Sequence, residues 1–322
     1  MAAKRKLKPA SVIISMVAVI VSMVTIDSIR RDIFRVNTNE GVKVEDGHFI
    51  SQTADGMSVD GTLPFNFEDE PTTAFEGIEN VGYSQVTVSK DGVSKGLLAI
   101  ADDAHPVAPI EESDTVDLFK AKNEYYTLIE QNVQLSKDAA EAFNMMMADY
   151  YAEYQLTDFV VYGTTDTYTA EGSYCPRHFA ESAAGNCVDL ALCGWESVIS
   201  YDGADTQGWV NENCYKYGFI VRYPQDKAGQ TGQEYCPWHL RYVGTVHSTI
   251  MHDKNLCLEE YVRALKDFTC DAPYEYTVGE NTYTVYYAPA ESDSGKISVP
   301  ISGNYEISGN NSDGFIITAN KN

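Results

Sequence analysis

Seventeen consecutive uncharged residues, Ala10 to Ile26, divide this chain into parts that must fold in different solvents. The run is apolar except for Ser11, Ser15, Ser22 and Thr25, and it follows the basic cluster Lys4, Arg5, Lys6 and Lys8. It is at the short end for a membrane span and longer than the apolar region of a usual signal peptide. The basic flank predicts a cytoplasmic tail over residues 1–9. No small-x-small cleavage site precedes Arg30 and Arg31, so residues 10–26 read as one transmembrane signal-anchor rather than a cleaved leader. The expectation is a single-pass protein of the cell membrane. Its N-terminal helix meets the lipid and its bulk is extracellular.

Charge and cysteine content narrow what that bulk does. Asp and Glu number 47 against 23 Lys and Arg, a net charge of −24. Such a field repels phosphate backbones, which excludes nucleic acid as the expected partner. All seven cysteines lie in the second half, at 175, 187, 193, 214, 236, 257 and 270. The odd count leaves one thiol over in a monomer, and no CxxC pair supports a zinc ribbon. Cys257 and Cys270 are candidates for a bridge around the helix between them.

Beyond the apolar run, residues 27–82 are polar and acidic, and read as an extracellular stalk. Residues 83–102 alternate apolar and polar around Asp91-Gly92, a hairpin signal, and a Pro- and Glu-rich link follows to residue 115. From Ser136, an N-cap residue, Ala139, Phe143, Met146, Met147, Tyr150 and Tyr154 recur at helical spacing. LTDFVVYG (156–163) and YGFIVRYP (217–224) read as buried strands, and LCLEEYVRAL (256–265) as an amphipathic helix. Further strand signals fill the tail from Tyr274. Strands interspersed with separate helices predict an α+β fold with an antiparallel sheet and flanking helices. The expected main domain is 116–270, with a C-terminal strand extension over 271–322.

Two short stretches offer metal-binding groups: Asp189 in ESAAGNCVDLAL (181–192) and His239 in CPWHLRYVG (236–244). Each residue alone reads equally well as a cap, a surface charge or a core histidine. Together with GNCVD (185–189), YGFIVRYP and PWHLRYVG, however, the chain resembles the VanY-type D-alanyl-D-alanine carboxypeptidases, zinc peptidases of bacterial cell-wall metabolism. That family carries S-x-H-x-x-G-x-A-x-D, YGFI-x-RYP and E-P-W-H-x-RYVG. The resemblance extends over about residues 95–319, through LEEYV (258–262) and YEISGNNSDGFIITA (305–319). It implies the α+β fold shared by DD-peptidases and Hedgehog signalling domains.

The resemblance also implies site residues, and here the chain departs from the pattern. Asp189 and His239 match two zinc ligands. Ser182 stands at the position of the third, a histidine, and Cys236 at the position of the general-base glutamate. Ala180 replaces the motif serine. Thr165 falls where the substrate-carboxylate arginine belongs; Arg177 and Arg241 are the cations left for a peptide carboxylate, with a solvated or structural role the first reading of both. A neutral serine hydroxyl is a poor zinc ligand, and loss of the general base removes about 10²–10⁴-fold in rate. Zinc, the family's cofactor, is therefore expected to be weak or absent.

His178 is the surrogate third ligand to consider. Cys236 has three other readings: a thiolate ligand, a disulfide partner of Cys175 or Cys187, or half of a nucleophilic pair with His239. The implied function is a membrane-anchored VanY-like protein that has lost hydrolysis. Its expected partners are peptidoglycan stem peptides or a cell-surface protein. The alternatives are an active D,D-carboxypeptidase with a rebuilt zinc site, and a structural surface module.

Overall fold

A computed structural model describes residues 82–101, 105–129, 133–163, 180–195, 197–290, 295–301 and 304–321. The signal-anchor, the stalk, Thr165, Arg177 and His178 lie outside these residues. Among those described, no helix is long and apolar enough to cross a membrane. The chain divides into two compact units: residues 61–276 with 282–322, and residues 1–60 with 277–281. The fold described below belongs to the first, apart from residues 277–281.

Among the described residues, fourteen strands follow in chain order: β1 (Tyr83–Thr87), β2 (Thr115–Asp117), β3 (Thr127–Leu128), β4 (Gln134–Ser136), β5 (Phe159–Gly163), β6 (Cys187–Cys193), β7 (Val198–Ser200), β8 (Phe219–Tyr223), β9 (Cys236–Tyr242), β10 (Tyr274–Val278), β11 (Asn281–Pro289), β12 (Lys296–Pro300), β13 (Tyr305–Gly309) and β14 (Gly314–Asn320). The central sheet runs β3-β5-β6-β9-β8, with β7 added beside β6. It is antiparallel except for the short β3–β5 pair. A second sheet, in the order β10-β11-β14-β13, is built from the tail. This is the expected mixed α+β architecture.

The long helix starts where its cap predicts. The Ser136 hydroxyl accepts from the Ala139 N–H, and the helix runs Lys137–Tyr154 to a left-handed Gln155. Its apolar stripe, Phe143, Met146, Met147 and Tyr150, is fully buried. It packs on one face of the central sheet, against Val161, Val188, Leu190, Phe219 and Leu240. These sheet residues alternate along their strands, as the two-residue strand period requires. Each such buried side chain contributes about 1.5–3 kcal/mol. The intervening residues on β6, β8 and β9 therefore face the other way. They include Cys187, Asp189, Ile220, Arg222, His239 and Arg241. Helices Thr245–Asp253 and Leu258–Leu265 form a second apolar cluster with Ile220 and the tail sheet.

The expected hairpin at Asp91-Gly92 does not form. Lys90–Ser94 is a 3₁₀ turn capped by Ser89, and β1 pairs instead with β12, Tyr83 opposite Pro300 through Thr87 opposite Lys296. The local turn signal is real, but the strand after it has no partner there. Residues 96–101 and 105–110 run as a strap. Ala108 N–H donates to Ser94 O and Ile110 N–H to Ala183 O. Ala99, Ala101 and Val107 pack on Ala180, Ala183 and Ala184. Gly185, at φ 67°, is needed beneath the strap, because a Cβ there would stand 2.6 Å from Ile110. No disulfide joins any of the six described cysteines, which removes the candidate Cys257–Cys270 bridge and the reading of Cys236 as a partner of Cys187. Cys257 instead caps helix Leu258–Leu265.

Candidate functional site

The register of β6 against β9 places Asp189 directly opposite His239 and Cys187 opposite Arg241. The β8–β9 pairing sets Ile220 opposite Arg241, so Arg222 joins the same face. A short 3₁₀ turn, Ala180–Ala184, lies over this face and carries Glu181 into it. His239, Glu181 and Arg241 are fully buried, as are Arg222, Cys187 and Asp189 to within a few per cent.

Every charge in this cluster is paired. His239 Nδ1 lies 2.6 Å from Asp189 Oδ1, and its Nε2 lies 3.2 Å from Glu181 Oε1. The Glu181 carboxylate also accepts from Arg222 Nε at 2.9 Å, from the Tyr223 hydroxyl at 2.8 Å, and from Arg241 Nη1. Arg222 forks onto Glu259 at 3.0 and 2.5 Å. Arg241 Nη2 donates to the strap carbonyls of Leu97 and Ala99 at 3.0 and 2.8 Å. Tyr223 stacks on the His239 ring, centroids 5.6 Å apart.

These contacts determine the protonation states. Burial alone would neutralise His239, but the Asp189 carboxylate holds it charged well above the ordinary imidazole range. Burial would likewise raise Glu181, yet Arg222, Arg241 and His239 draw it well below the usual carboxylate range. Burial pushes the Cys187 thiol up, with Glu181 adding to the effect. The imidazolium therefore donates from both nitrogens, one to each carboxylate.

Zinc held by an imidazole nitrogen and a carboxylate oxygen, at about 2.0–2.1 Å each, sets those atoms roughly 3.3 Å apart. A 2.6 Å contact is a direct hydrogen bond. The family's ligand positions, Asp189, His239 and Ser182, thus do not fit the ion in this arrangement. A different trio, Glu181, Cys187 and His239, brings its ligand atoms within 4.8 Å of one another. It too is already committed. Glu181, Asp189 and Glu259 balance Arg222, Arg241 and the imidazolium, so a divalent ion enters without excess charge only by displacing two protons, from His239 and Cys187.

The remaining sequence-derived positions fall as follows. Ser182 is buried beside Glu181, and Ala180 packs in the strap contact. Cys236 is buried against Tyr223 and Trp238, and its thiol donates to Glu234 O at 3.3 Å, so it points to the chain rather than to a cleft. Arg241 is turned inward to Glu181 and the strap and is not placed for a peptide carboxylate. Sequence reasoning missed Glu181 and Arg222. The available signal was a lone acid in AESAAG and two arginines, in RYP and RYVG, at inward-facing strand positions. Buried guanidinium groups require a carboxylate.

Comparison with known proteins gives the family and the fold. Residues 183–245 match the family model VanY, D-alanyl-D-alanine carboxypeptidase. Across 79% of the chain and 85% of the relative, it is 34% identical to a D-alanyl-D-alanine carboxypeptidase of Enterococcus faecium. The chain belongs to the VanY family. A solved vancomycin-resistance D,D-dipeptidase, VanXYg in complex with a D-Ala-D-Ala phosphinate analogue, shares the fold: TM-score 0.62, 23% identity, 74% of this chain and 100% of that one. A D,D-pentapeptidase VanY variant solved with Zn(II) aligns over 42% of this chain and 87% of that one, at 25% identity and TM-score 0.34.

Proposed function

We propose that this VanY-family chain is a non-hydrolytic cell-wall protein that recognises peptides without cutting them. The observation that carries the reading is His239 clamped between Asp189 and Glu181, an imidazolium standing where the family's ligands would need to part around an ion. Three substitutions act in the same direction. Ser182 offers no imidazole, Cys236 cannot serve as the general base that a carboxylate provides, and Thr165 offers no fork to a terminal carboxylate. The apolar run over 10–26 and its basic flank support anchoring in the cell membrane with the bulk outside, where stem peptides and surface proteins are the available partners.

The test is metal content together with turnover. The purified chain, incubated with zinc and desalted, is expected to retain far less than one equivalent. It is expected to release no D-alanine from a peptide ending in D-Ala-D-Ala. Zinc-dependent release that disappears in His239→Ala would overturn the reading. If the retained zinc were lost in Cys187→Ser, the rebuilt Glu181–Cys187–His239 site would be the alternative. Protease treatment of intact cells checks the orientation: the domain beyond residue 82 should be removed from outside.

A further inference from the structure

The β6–β7 hairpin carries the most exposed large apolar side chain among the described residues. β7 pairs with the last three residues of β6, from Ser200 opposite Ala191 to Val198 opposite Cys193. The Gly194 N–H donates to Ser197 O at 2.7 Å to close the turn, and Trp195 stands at its tip, 98% exposed. Tight hairpin turns favour small or polar residues such as Asn and Gly, so the backbone does not call for an indole here. Trp209 and Trp238, by contrast, pack against the core.

A single apolar side chain in water is ordinary. Trp195, however, is not alone. Ile199, 49% exposed, lies against Gly194, where an added Cβ would stand 3.2 Å from its Cγ2. Leu192 pairs with Phe159 at this end of the sheet, and the chain reaches Phe159 from the long helix through Tyr154 and Leu156, both exposed. The Cys193 N–H donates to Asp158 O and ties the two segments together.

Charge says what such a patch would meet. Residues 138–163 and 180–213, which supply the long helix and this end of the sheet, carry eleven Asp and Glu and no Lys or Arg. Glu181 and Asp189 are balanced within the His239 cluster. Asp158 accepts from the Tyr150 hydroxyl and the Gln207 amide, and Asp202 from the Ala204 N–H, neutral donors that leave both charges standing. That field repels nucleic acid and anionic lipid and draws in a cationic surface. An indole face attracts Lys and Arg, and a buried tryptophan is among the side chains that dominate interface energies.

We infer that the Trp195 hairpin tip is a docking site for a cationic protein segment carrying apolar side chains. Cys193 lies about 13 Å along β6 from Asp189, at roughly 3.3 Å per residue. The surface is thus separate from the His239 cluster and does not depend on whether that cluster hydrolyses anything.

Titration of the full chain with a short peptide of alternating Lys and Leu tests it, read by tryptophan emission and by calorimetry. Saturable binding with a blue shift of the emission is expected, because Trp195 leaves water. Affinity should fall about tenfold in Trp195→Ala and about threefold in Ile199→Ser. A Lys-Ser peptide of equal charge should bind about tenfold more weakly and leave the emission unshifted. Trp195→Ala should unfold at the wild-type temperature, since its side chain supports nothing in the fold. No binding, binding unaltered by Trp195→Ala, or equal binding of the Lys-Ser peptide overturns the site. A Trp195-dependent preference for chitotriose, for phosphatidylcholine vesicles or for an Asp-Leu peptide overturns the partner class. A lower unfolding temperature in Trp195→Ala makes the indole structural and overturns the inference as well. Neither zinc content nor D-alanine release enters these readouts, so they stand separately from the proposed function.

Discussion

Two buried histidines, His239 on β9 and His247 in the helix that follows, are held in different charge states by the groups that face them. His247 Nδ1 lies 2.8 Å from the Tyr261 hydroxyl and its Nε2 lies 3.1 Å from the Thr318 hydroxyl. With only neutral partners, burial pushes it down to about 4. His239 is buried as completely, but two carboxylates face its two nitrogens and it is held as a cation. Burial by itself neutralises an imidazole, and facing carboxylates reverse the outcome. One region is a neutral hydroxyl network on the tail sheet. The other is a compensated ionic cluster on the central sheet.

The severest way to break this contrast is to remove the hub. Glu181→Gln leaves the buried Arg241 without a carboxylate and Arg222 with Glu259 alone, and a loss of about 3–5 kcal/mol is expected. Urea unfolding should show a lower midpoint with an unchanged slope. A change below about 1 kcal/mol would mean that the two arginines find water or another acid.

The next effect separates the histidines by pH. His247 titrates lower folded than unfolded, so its contribution is present above about pH 6.5 and is lost as pH falls toward 4. The expected loss is on the order of 3 kcal/mol. His239 is shifted the other way: its contribution is complete below about pH 6.5 and is lost only as pH rises through its raised folded value. Glu181, lowered, has its full contribution above about pH 4.5 and loses it as pH falls from there through its lowered folded value. The acid limb between pH 6.5 and 4 therefore belongs to His247. His247→Gln should flatten it in a series of thermal melts across that range.

A third experiment converts one histidine into the other. Asp189→Asn replaces the nearest carboxylate with an amide. The His239 imidazole resonance should then titrate at lower pH, and stability should fall by about 1–3 kcal/mol. An unmoved resonance would transfer the credit to Glu181. The smallest effect is expected at Cys236, which lies beside the cluster without sharing its charge: Cys236→Ala should cost about 1 kcal/mol or less in urea unfolding.

The legibility of this molecule tracked the sequence distance over which each interaction acts. The Lys137–Tyr154 helix was readable because its cap and its stripe lie within one element. The central strands were readable from their alternation, and GNCVD with PWHLRYVG marked Asp189 and His239 as neighbours. The Asp91-Gly92 signal misled because a turn is specified locally while a strand's partner is not. β1 found its complement in β12, some two hundred residues later. Glu181 was missed for a related reason. The resemblance marks Ser182, whereas the neighbouring acid is the group that the inward arginines require.

By itself, then, the sequence determined the family, the α+β class, and the absence of imidazole at 182 and carboxylate at 236, since these are properties of residue identity and short-range period. Only the tertiary structure decided what replaced them. A 3₁₀ turn carried Glu181 across to β8 and β9, two arginines converged on it, and His239 closed against Asp189. Charge compensation and hydrogen-bond satisfaction are set by groups distant in the chain and close in space.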